Sequence, residues 1–228
     1  MPLGMRIAVL LGLIVAMVLR SWVEAWVAVW QGDDGPRQAG QTTLDPRAHV
    51  DWLGTMVLPL LVSLSGSQVL FAFPKPLQLD LLYHPSPYRL VFFARLAGCV
   101  FHFVLAALLI LFLRPLLEAL PPNPAREKLV LFFLISAISN LGVAFILLLP
   151  IPPATGALLL GWLLPRGWRE HLIFNTRLIY AGMLLLLIAL MLPPVQKLIL
   201  AGITDTLELY FKLLAVPAEP LLAILRPR

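Results

Sequence analysis

The stretch Ile7–Trp30, IAVLLGLIVAMVLRSWVEAWVAVW, decides the class of this protein. Thirteen residues pass from Ile7 to Leu19 without a charge, and the run continues apolar to Trp30 except at Arg20, Ser21 and Glu24. A bilayer core about 30 Å thick is crossed by roughly 20 apolar residues rising 1.5 Å each, and this stretch has that length. Arg6 followed by Ile7–Leu19 has the charge and apolar run of a secretory signal, but no small-residue cleavage site follows. The stretch is read as an uncleaved first span. Arg20 and Glu24 lie four apart and share a helix face. An ion pair at that spacing, turned toward protein or the interface, reduces the cost of burying either charge, and snorkelling of Arg20 toward headgroups is the alternative.

The rest of the chain agrees with that class. Of 228 residues, 60% are hydrophobic and 13% charged, against about 25% charged in a soluble domain, and the mean hydropathy is +0.91. Five candidate spans are read, at about 5–30, 52–73, 89–113, 128–149 and 171–192. The expected fold is an all-α integral membrane protein. It divides into a transmembrane domain over 1–194 and a tail over 195–228 that begins as an interfacial amphipathic helix, with Lys197, Asp205, Glu208 and Lys212 uneven around its wheel. The polar stretch Gln31–Asp51 separates the first two spans and is too polar to cross, with a segment near 38–44 that reads as extended. Prolines at 74, 76, 85 and 87 predict a fixed, non-helical linker, and those at 150, 152 and 153 end the fourth span.

Charge and cysteine content exclude other classes. The net charge of +5 is spread without a dense basic run, which suits lipid headgroups and excludes a nucleic-acid partner. A single cysteine, Cys99, rules out internal disulfides and a cysteine zinc cluster. The loop after the first span is acidic (Asp33, Asp34, Asp45 and Asp51), while Lys75, Arg89, Arg166 and Arg169 fall on the N-terminal side of a five-span arrangement. The positive-inside rule then places the N-terminus in the cytoplasm.

The stretch Ala25–Thr55, AWVAVWQGDDGPRQAGQTTLDPRAHVDWLGT, resembles the site-2-protease family of intramembrane zinc metalloproteases, in its compact bacterial branch without a PDZ domain. Gly32-Asp33, Ala39-Gly40, Thr43-Leu44, Pro46, His49, Asp51 and Gly54-Thr55 follow that branch without a gap. Phe71–Pro76 resembles its W-A-K-P-x-P, Leu96-Ala97-Gly98 its L-A-G-P-x-x-N, and Leu148–Pro153 the L-L-P-I-P-P before a D-G pair. These matches run in one order over most of residues 20–160, and imply a bacterial cytoplasmic membrane as the location.

The resemblance also implies where zinc chemistry would sit. In the family, two histidines one helical turn apart hold the metal and a glutamate between them activates its water. Counting back from Ala25, those positions are Arg20, Ser21 and Glu24, and the D-G aspartate is Thr155. A guanidinium at a ligand position repels a divalent cation. Gly98 is followed by Cys99 and His102 where proline and asparagine are usual, and Leu147 replaces asparagine. The replaced positions imply a chain that is not an enzyme and takes no cofactor or metal. It would be a pseudoprotease that keeps the scaffold and holds a transmembrane helix, or serves as a subunit of a membrane complex. Trp22, Trp26, His49, Asp51, Pro152 and Pro153 are the candidate cleft residues. An active protease with unusual ligands, and a small-molecule or ion conduit using Arg20 and Glu24, are the competing readings. Lipid and other membrane proteins are the expected partners.

Overall fold

A computed structural model describes residues 3–57, 60, 72 and 74–217, and over these residues the chain is helical with no strand. Helix α1 (Leu3–Trp30) is followed by two single turns, α2 (Gly35–Gln38) and α3 (Pro46–His49), and by a π-helical turn over Trp52–Val57. Two long helices come next, α4 (Pro87–Ala119) and α5 (Pro124–Leu147). The chain ends in α6 (Thr155–Gly161), α7 (Arg166–Phe174), α8 (Thr176–Met191) and α9 (Pro193–Leu213).

Proline and capping residues set the boundaries. Pro87, Pro124 and Pro193 sit in the first turns of α4, α5 and α9, where the missing N–H costs nothing and the fixed φ favours the helix. The Asn123 side chain accepts from the Arg126 N–H at 2.8 Å to cap α5, and Asn175 caps α8 through the Leu178 N–H. Three prolines between Leu149 and Ala154 keep α5 from running on into α6.

Three helices are long and apolar enough to cross a membrane: Gly4–Trp30, Pro87–Ala119 and Pro124–Leu147. A fourth crossing is formed if α7 and α8, bent by 72°, count as one broken span. Among the described residues three or four such spans are found, against the five read from the whole sequence. The candidate span at 52–73 lies largely outside the described residues, and what is described of it begins as the π-turn. On α4, Val100, Val104, Leu108 and Phe112 are exposed, while Ala106, Ile110 and Leu113 on the other side are fully buried. A helix apolar on both faces is one whose outer surface meets lipid. These spans make the protein an integral membrane protein.

The segment near 38–44 is not extended. The Gln41 N–H reaches back to the Pro36 carbonyl at 2.8 Å and the Thr43 N–H to Gly40 at 3.2 Å, and Gly40 takes a φ of +71° that a side chain would resist. Its polar groups are satisfied by turns, which do not require the partner strand an extended segment would need.

Helices α4 and α5 form an antiparallel pair across which α1 packs, and α9 lies on α5. Leu13 and Met17 of α1, Ala106 and Ile110 of α4, Leu134 and Leu141 of α5 and Ile199 and Ile203 of α9 belong to one core. The lysines and acidic residues of α9 stay exposed, the amphipathic pattern its sequence shows. Tyr88, Phe92, Leu158 and Ile173 make a second cluster that ties α6 and α7 to the start of α4.

Close backbone approaches mark where the packing has no slack. A Cβ on Gly156 would meet the backbone of Leu148 and Leu149, whereas one on Gly167 meets nothing within 4 Å. Gly156→Val is expected to destabilise the protein by about 1–3 kcal/mol and Gly167→Ala to be neutral or slightly favourable, read as thermal unfolding in mild detergent.

Candidate functional site

The site is built from the middle of the bundle. Arg20 and Glu24 lie one turn apart on the face of α1 that meets α4, with side chains 2% and 1% exposed. The Arg20 Nε–H donates to Glu24 Oε1 at 2.7 Å. On the other side of the carboxylate, Arg95 of α4 donates from Nη1 to Glu24 Oε2 at 3.1 Å. One carboxylate thus bridges two guanidinium groups from two helices. Both oxygens are occupied by charge-assisted bonds, the strong class of hydrogen bond. Gly98 faces this carboxylate, and a Cβ there would overlap Glu24 itself. Thr155 approaches the same level from α6, its hydroxyl donating to the Arg95 carbonyl at 3.3 Å.

A cavity of about 310 Å³ opens beside the charges. Arg20 and Arg95 stand in its wall with Pro74, Pro76, Pro152 and Pro153, and Leu77, Leu79, Leu158 and Met183 are among the apolar side chains around them. The Arg20 Nη1 group is buried and has no hydrogen-bond partner among the described residues.

The loop side of the cavity is laced by polar side chains from the stretch after α1. The Asp33 carboxylate accepts from the Gly35 N–H at 2.7 Å and the Asp80 N–H at 2.9 Å. Gln41 accepts from the Gln78 N–H at 2.8 Å and donates to the Pro76 carbonyl at 3.1 Å. The Lys75 N–H binds the His49 carbonyl at 2.7 Å. Segment 74–80 has no regular structure of its own, so these bonds hold it against the bundle.

The expected site residues fall into two groups. Arg20, Glu24, Thr155, Pro152 and Pro153 converge on the cavity or its charge cluster, and Ser21 is buried beside them on α1. Trp22, Trp26, His49 and Asp51 do not line it. The Trp22 indole donates to the Thr42 carbonyl at 3.0 Å and packs edge-on to Trp26. His49 Nε2 lies 2.7 Å from the Thr43 carbonyl. Asp51 accepts from the Gly54 N–H at 2.6 Å and so caps the π-turn.

Sequence reasoning missed Arg95 and Asn140. Arg95 sits alone in the apolar run LVFFARLAGC, and a charge inside a span is a functional signal. Asn140 pairs its Oδ1 with His102 Nδ1 at 2.8 Å in the core between α4 and α5, while its amide donates to the Ser136 carbonyl.

The residues at the expected zinc positions do not fit the metal. Both oxygens of the Glu24 carboxylate are engaged by guanidiniums, and Arg20 brings positive charge where a ligand lone pair is needed. Among the described residues no three His, Cys, Asp or Glu side chains come together as a ligand group.

Comparison with known proteins gives one informative likeness. The chain is 28% identical over 174 residues to "Putative zinc metalloprotease YwhC" of Bacillus subtilis (strain 168), covering 75% of each chain. No family model and no solved structure matches. This likeness, with the membrane-length helices, supports a site-2-protease-like membrane protein of bacterial type. It also corrects the expectation that the chain is not an enzyme. Three-quarters of the chain follows a protein named as a metalloprotease, so the residues at 20, 21, 24 and 155 do not license a plain negative.

The charge cluster makes a direct prediction. Glu24→Gln leaves two neighbouring guanidiniums without their counter-charge and is expected to cost about 3–5 kcal/mol. Asp34→Asn, which breaks the exposed Arg37–Asp34 pair, should cost less than about 1 kcal/mol. Unfolding of the two variants in the same detergent measures the contrast.

Proposed function

We propose that this site-2-protease-like protein holds a segment of another membrane protein against the cavity beside Arg20. The observation that carries the reading is the cavity itself. It is apolar over most of its wall, lies between the bundle and the laced 74–80 segment, and ends on buried charge. A water-filled conduit would be lined by polar groups, whereas most of the lining here is leucine, isoleucine, valine, alanine and proline. The cavity, about 310 Å³ in volume, has room for side chains of the held segment.

A second reading is favoured by the likeness to a protein named as a zinc metalloprotease: the held segment is also cut. The two readings share the binding step and differ in the fate of the segment.

Both are tested by replacing Leu79, in the cavity wall, with a photo-crosslinking amino acid in native membranes. Peptide mapping of the adduct is expected to return a membrane-embedded segment of a second protein; adducts to lipid alone would refute the binding reading. Incubation of that protein with purified chain, with and without a metal chelator, separates the two. A chelator-sensitive cleavage product establishes proteolysis, and an intact segment leaves holding as the function.

A further inference from the structure

The charges in the cavity wall do not balance. Arg20 and Arg95 together bring two positive charges and Glu24 returns one, so the buried end of the cavity carries a surplus of one. Glu24 is engaged on both sides, since each of its oxygens accepts from a guanidinium. Arg20 Nη1 is buried out of reach of a water molecule and has no acceptor among the described residues, so a carboxylate in the cavity meets it only after a side-chain shift. An unmet donor on a charged group in low dielectric is costly, and an acceptor with negative charge is what removes that cost. Arg95, 27% exposed, offers its remaining donors from the neighbouring helix. Planar guanidiniums bind a carboxylate through paired, parallel bonds.

We propose that the segment held here is recognised by an acidic side chain, an aspartate or glutamate at the depth of Arg20, whose carboxylate enters the cavity and pairs with Arg20 and Arg95. The inference rests on the binding reading above and adds the chemistry of the partner. The size of the cavity agrees, because about 310 Å³ has room for an acidic side chain. Selectivity follows from the membrane: an acidic residue inside a transmembrane segment is rare and expensive in lipid, so a site that neutralises it discriminates against the many segments that lack one. The apolar walls contributed by Leu77, Leu79 and Leu158 receive the residues on either side of the carboxylate.

The experiment uses the full chain in phosphatidylcholine vesicles, with the crosslinking residue at position 79. The probes are three versions of one leucine-alanine transmembrane peptide carrying Glu, Gln or Leu at its centre. The Glu peptide is expected to be captured about tenfold more than the Gln peptide, the effect of one charged hydrogen-bonded contact. Arg95→Gln should abolish that preference while the weaker capture of the Leu peptide persists. Ala157→Phe, which fills the cavity without touching a charge, should lower capture of the Glu peptide to the level of the others. Equal capture of the Glu and Gln peptides overturns the acidic-residue proposal and leaves the binding reading standing. Capture of none of the peptides overturns both. Displacement of the Glu peptide by palmitate, with palmitate but no peptide labelled in direct competition, also overturns the proposal and assigns the cavity to a fatty acid. Arg20→Met is a weaker probe because it removes part of the core, so Arg95→Gln and Ala157→Phe carry the decision.

Discussion

A carboxylate held between two guanidiniums inside a lipid-facing bundle is the constraint around which the rest of this structure is arranged. Charge at that depth is tolerated only where protein or water surrounds it, and here protein does so from several directions. Helix α1 presents Arg20 and Glu24, α4 presents Arg95 and the bare backbone at Gly98, and α6 brings Thr155 onto the Arg95 carbonyl. Breaking a buried pair is far more costly than the net gain from forming it. The cluster is therefore better understood as fixing how α1 and α4 meet than as a large source of stability.

The polar loop after α1 serves the same arrangement from outside. Asp33, Gln41 and His49 look, in isolation, like a metalloenzyme's scattered functional groups. Each is instead used in local hydrogen bonding, mostly to the backbone, and the three together pin segment 74–80 along the cavity. A buried acid, amide and imidazole on a loop are expensive to desolvate, and the bonds they make offset that expense. What results is a wall of the cavity that has no secondary structure and is nevertheless held in place.

Much of this was legible in the sequence because it depends on local rules. Run length announced the spans, proline announced the breaks at 74–76 and 150–153, and the four-residue spacing of Arg20 and Glu24 placed them on one helix face. The pieces that escaped are those set by distance along the chain. Arg95 joins Glu24 across 71 positions, and nothing near Arg95 in sequence says which helix it will meet. The Gln38–Leu44 segment misled because a polar run with alternating small residues suits a strand as well as it suits consecutive turns, and only the bonds to Pro36 and Gly40 decide between them. Trp22, Trp26 and Trp30 recur at helical spacing, yet the first two pack and the last is exposed. Replacement of the expected ligands pointed to loss of activity, whereas the chain is similar over 174 residues to a protein named as a metalloprotease.

The absence of a side chain at Gly98 has a meaning for sequence variation. Because the Glu24 carboxylate lies in the space a Cβ would occupy, positions 24 and 98 draw on one shared volume. A mutation that enlarges either one must wait for, or follow, a reduction at the other, so lineages can exchange these residues only along restricted orders of substitution. The two positions are therefore coupled through one volume, although they lie 74 residues apart in the chain.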